Sequence, residues 1–117
     1  MNFHIEFYIT EDGDSPVEDF VKSLQPKMRA KVASMIELLG EYGNALRKPY
    51  SEHLDDGIFE LRCKFASDIT RVLYFFYIGK RIILTNGFVK KTPKTPPEEI
   101  ALAKKRREVF IRSEGSK

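Results

Sequence analysis

Two hydrophobic rhythms alternate along the chain. Residues 3–10 (FHIEFYIT) alternate around an apolar core and predict a first strand. The spacing then lengthens: Val17, Phe20, Val21 and Leu24 recur at helical intervals, and Met28, Val32, Met35, Ile36 and Leu39 keep the same three-four rhythm. The short period returns at residues 58–65, with Phe59, Leu61, Cys63 and Phe65 on one face and Glu60, Arg62 and Lys64 on the other. It continues through residues 69–77 and 82–89, and the helical spacing closes the chain with Ile100, Ala103 and Phe110.

Punctuation divides these runs. Glu11-Asp12-Gly13-Asp14 is turn chemistry. Ser15-Pro16-Val17-Glu18 predicts an N-cap, a proline in the first helical position and a capping box, and Thr95-Pro96-Pro97-Glu98 repeats the pattern before the last helix. Pro26 stops one helix and opens the next, which Gly40 or Gly43 ends; so tight a junction predicts an antiparallel helical hairpin. Ala66-Ser67-Asp68 and Gly79-Lys80 join successive strands closely enough to require an antiparallel meander. Residues 45–56 carry the weakest pattern, with Lys48-Pro49-Tyr50 extended and Asp55-Asp56-Gly57 a turn. The expectation is a single α+β domain over residues 1–117, ordered β-α-α-β-β-β-α, with helices packed on a twisted, mainly antiparallel sheet.

Charge changes the picture more than composition does. Residues 1–56 hold 6 Lys and Arg against 11 Asp and Glu, a net of −5, whereas residues 57–117 hold 14 against 6, a net of +8. The overall +3 hides a basic, strand-rich half suited to a polyanion. No apolar run approaches the roughly 20 residues of a membrane helix, and no secretory signal is expected. The lone Cys63 falls on the apolar side of its strand, which reads as a core residue in a reducing, cytoplasmic protein, with a nucleophile as the alternative. No Cys/His spacing suits a metal and no glycine-rich loop suits a phosphate, so neither metal nor cofactor is expected.

Arg71 interrupts an apolar row made by Ile69, Leu73 and Phe75. Two readings stand: a stem buried along the sheet with its guanidinium on Asp68 or Glu60, or a rigidly held guanidinium for a phosphate. Arg62 lies on the polar face of the adjoining strand, and Lys90 and Lys91 follow the third. Convergence of these four at one end of the sheet favours an anion site, because packed like charges are costly without a shared counter-charge. Lys64, Lys94, Lys104 and Arg107 are further candidates for contact with nucleic acid. Phe88 is a candidate to stack an unpaired base. His53 is a possible acid or base; His4 reads as structural.

Three segments, GIFELR at 57–62, RVLYF at 71–75 and GFVKKTPKTP at 87–96, together resemble the RelE/ParE toxin superfamily, and more narrowly its phage-derived HigB-like branch. The likeness implies the toxin of a type II toxin–antitoxin system that cleaves mRNA in the ribosomal A site. It also implies a HigA-like antitoxin partner with a helix-turn-helix domain. Arg62, Arg71, Lys90 and Lys91 match the branch's own pattern and are the expected catalytic set of a metal-independent endoribonuclease. No tyrosine stands near the start of the last helix, where the RelE archetype uses one. A non-catalytic ParE-like gyrase poison or an RNA-binding module is the alternative.

Overall fold

A computed structural model describes residues 2–116. Five strands, β1 (His4–Phe7), β2 (Ser51–Asp55), β3 (Ile58–Phe65), β4 (Asp68–Tyr77) and β5 (Arg81–Val89), form one sheet in the order β1-β5-β4-β3-β2. The helices are α1 (Pro16–Lys22), α2 (Pro26–Tyr42) and α3 (Pro97–Gly115), with a short 3-10 turn at Gly43–Ala45. The expected β3-β4-β5 meander is antiparallel throughout, while β1 returns to pair with β5 in parallel.

The alternation at residues 58–65 sorts side chains onto two faces as its period requires. On one face Leu61, Cys63, Val72, Tyr74, Ile82 and Leu84 pack against Val17 of α1 and Met28, Val32, Met35 and Leu39 of α2. On the other, Ile58, Leu73, Phe75 and Ile83 pack against Ala103 of α3, with Phe110 at the margin. Cys63 is fully buried, and burial pushes its thiol up to about 12, so it belongs to the core as expected. Gly87 lets α1 approach: a Cβ there would lie 2.5 Å from the Phe20 ring.

Four local expectations need correction. Lys48-Pro49-Tyr50 is a turn and not extended, with the Tyr50 N–H donating to the Arg47 carbonyl at 2.9 Å. The element order carries an additional strand, β2, where the sequence pattern was weakest. Its sequence SEHLD holds one aliphatic residue, so no alternation announces it; pairing with β3 makes the strand. The two strands are joined by Asp56-Gly57, both at positive φ (50° and 78°), the backbone that a two-residue hairpin demands. Neither capping box forms. Ser15 and Pro16 take the predicted N-cap and N1 positions, but the Ser15 hydroxyl makes no cap bond. Before α3 the N-cap is Pro96, and Thr95 turns its hydroxyl into the site described next.

Candidate functional site

Register places the central residues. Arg62 stands directly opposite Arg71 in the β3–β4 pairing, and Arg71 directly opposite Phe88 in the β4–β5 pairing. Directly paired residues share a face, so the three form one row across the sheet, on the α3 side. Two arginines at opposed positions repel one another and need an anion between them.

Glu60 supplies it. Two residues before Arg62 on the same face, it is 2% exposed. Its Oε2 accepts from Arg62 Nε at 3.1 Å and from Arg71 Nη1, while its Oε1 accepts from the Thr95 hydroxyl at 2.5 Å. One carboxylate therefore ties together the three segments GIFELR, RVLYF and GFVKKTPKTP. Glu52, facing Glu60 from β2, accepts from Arg62 Nη2 at 2.6 Å and pairs with Lys48 at 3.4 Å. Burial alone would raise the Glu52 carboxyl, but Arg62 and Lys48 outweigh it and hold it below its ordinary range. Of the two partners anticipated for Arg71, Glu60 is the one it meets. Burial draws the Arg71 guanidinium down from its usual value and Glu60 opposes the shift. Its Nε is buried without a partner among the described residues.

Lys90 continues β5 past Val89, its backbone N–H donating to the Ile69 carbonyl at 2.8 Å. Partial burial, then the neighbouring Arg71 and Arg62, draw its ammonium below the ordinary lysine value. Arg62, Arg71 and Lys90 thus share one electrostatic neighbourhood. Lys91 and Lys94 are exposed in the following loop, where the Lys94 carbonyl accepts from the Thr92 hydroxyl at 2.8 Å. Phe88 is half-buried against the cluster of Leu73 and Phe75.

Other candidates lie elsewhere. Lys104 pairs with Asp55, and Arg107 binds the Asp56 carbonyl and, at 2.9 Å, its carboxylate; both fasten α3 to the β2–β3 turn. His53 lies opposite Phe59, on the α2 face of the sheet and away from the arginine row. Its Nε2 accepts the Gly57 N–H at 3.0 Å and its ring meets Phe59 edge-on at 5.0 Å. The structure does not bring His53 to the cations.

A cavity of 260 Å³ opens beside the arginines, lined by Arg62, Arg71, Lys64 and Ile69 together with Lys31 of α2 and Tyr50. Sequence reasoning missed Thr95, Lys31 and Tyr50 as site residues, and it named Glu60 only as one of two possible partners for Arg71. The signal for Glu60 was present, a carboxylate two residues from Arg62 in a strand with a buried face. Lys31 and Tyr50 gave none: the packing of α2 on β3 brings Lys31 to the site, and the Tyr50 carbonyl accepts from the Arg62 N–H at 2.8 Å.

The profile of the family described as "Phage derived protein Gp49-like (DUF891)" matches residues 19–108. The chain therefore belongs to that family, which is related to the RelE toxins of toxin–antitoxin systems. A search of curated proteins finds no match.

Proposed function

We propose that this Gp49-like protein is the toxin of a type II toxin–antitoxin system and acts as a ribosome-dependent endoribonuclease on mRNA, with no metal required. The observation that carries this reading is the direct pairing of Arg62 with Arg71, with Lys90 in the same field. In such cleavage the ribose 2′-hydroxyl attacks the adjacent phosphorus and the 5′-oxygen leaves. Charge accumulates on the phosphorane oxygens, where fixed guanidiniums stabilise it as it develops. Arg62, 27% exposed at its side chain, presents its guanidinium at the surface, while Glu60 holds Arg71 rigid behind it. Lys90 is the candidate base: its lowered ammonium loses its proton more readily than an ordinary lysine, and the neutral amine then takes the proton of the 2′-hydroxyl. Lys91 and Lys94, on the same loop, serve as phosphate contacts. The antitoxin encoded with such a toxin restrains it by covering this end of the sheet.

The test is primer extension on transcripts from cells expressing the chain, with purified ribosomes and mRNA as the second arm. Discrete ends within codons, lost in Lys90→Met and Arg62→Ala, are expected. Uncut transcripts in growth-arrested cells would overturn the enzymatic reading, and trapped double-strand DNA breaks would assign the chain to gyrase instead.

A further inference from the structure

The cavity beside Arg71 has walls of two kinds. Met35, Pro49, Tyr50 and Ile69 make it apolar, while Lys31 and Lys64 add positive charge beside the two glutamate-paired arginines. A site for a bare anion has no use for the apolar walls, and a site for an apolar peptide has no use for two lysines beside them. A planar ring carrying a phosphate satisfies both. At 260 Å³ the space lies below the range of about 300–1,000 Å³ that takes drug-sized ligands, which suits one ring with its phosphate outside rather than a whole nucleotide. Tyr50 is 47% exposed, so its ring is available for stacking. The buried, unpartnered Arg71 Nε belongs to a residue of the same wall, a donor that an incoming acceptor would satisfy.

We infer that this cavity is the subsite for a single nucleobase of the RNA, stacked on Tyr50, with Lys31 and Lys64 on the phosphates that flank it. The inference rests on the RNA-cleaving reading and extends it to residues of α2 and of the segment before β2. Stacking on one aromatic ring is sequence-tolerant, so the subsite positions the strand and leaves base choice to other contacts.

NMR titrations of the whole chain with 3′-AMP, 3′-UMP and inorganic phosphate test it without ribosomes or cleavage. Both nucleotides are expected to bind at least about fivefold more tightly than phosphate, the lower end of what one stacked base supplies. The shifts should centre on Tyr50, Met35 and Ile69. Tyr50→Ala should reduce nucleotide affinity to that of phosphate, and Tyr50→Phe should retain it; an unchanged melting temperature verifies that each variant folds. Equal affinity for nucleotide and phosphate, shifts confined to other surfaces, or a Tyr50→Ala variant that binds like the parent would each overturn the subsite. Nucleotide binding here with no mRNA cleavage in cells would leave the subsite standing and remove the enzymatic reading instead.

Discussion

Glu60 changes how any substitution at the arginines must be read. Removing one partner of a buried ion pair leaves the other charge desolvated and unmatched, a cost of about 3–5 kcal/mol. With Glu60 and Arg71 at 2% and 6% side-chain exposure, Arg71→Ala is expected to lose that much stability together with activity. Lys90 carries no ion pair among the described residues, so Lys90→Met should lose activity while staying within about 0.5 kcal/mol of the parent. Urea unfolding of the two variants checks the contrast; an Arg71→Ala protein as stable as the parent would show that Glu60 does not depend on it. Lys90 itself should titrate below 10.5, since burial and then Arg71 and Arg62 disfavour its charged form. The sign follows from linkage. The unfolded chain holds this proton more tightly, so Lys90 lowers stability while charged, and stability rises with pH through the window between the folded value and 10.5. Bound phosphate supplies the missing counter-charge, and ¹⁵N-detected titration of Lys90 should move upward when phosphate is added.

Among the elements, legibility followed how strongly each one depends on its own residues. The helices and the β3-β4-β5 meander carry their apolar stripes in sequence, and both faces of β3 were assigned correctly from alternation alone. β2 carries no such stripe and exists because β3 offers it an edge; its only local mark was the Asp56-Gly57 turn. The capping boxes failed for another reason. A threonine before a proline-led helix looks the same whether its hydroxyl caps the helix or reaches a distant carboxylate, and the location of Glu60 settles that only in three dimensions. Arg62 and Arg71 were legible as candidates, yet their direct opposition depends on register, which the turn at residues 66–67 sets and alternation does not. Gly87 gives an element-scale test of how α1 sits on the sheet. Its missing side chain leaves room for the Phe20 ring, so Gly87→Ala should overpack this contact and cost about 1–3 kcal/mol. Thermal unfolding would register it, and combination with Phe20→Leu should recover part of the loss. A neutral Gly87→Ala would mean that α1 shifts freely on β5.

At the scale of the whole molecule, folding rearranges the charge asymmetry written along the chain. Acidic residues of the first half meet basic residues of the second: Glu6 with Arg81, Glu52 with Arg62, Asp55 with Lys104 and Asp56 with Arg107. The net +8 of residues 57–117 is therefore not one uncovered basic surface. Glu60 and Glu52 match Arg62 and Arg71, whereas Lys64, Lys90, Lys91 and Lys94 carry no ion pair among the described residues and concentrate unmatched charge around the same end of the sheet. An acidic partner is then steered to that end and not to the molecule at large. Screening acts over about 8 Å at physiological ionic strength and about 3 Å at 1 M, so steering weakens steeply as salt rises while a contact already formed persists. If the antitoxin covers the arginine row, its association rate should fall at least about tenfold between low and high salt, with dissociation changing much less. Reversing the charge of Lys91 and Lys94 to Glu should remove most of that dependence without unfolding the chain, since both side chains are exposed. Stopped-flow association at two ionic strengths measures both effects. A rate indifferent to salt, or one unaffected by the double reversal, would move the interface away from this end.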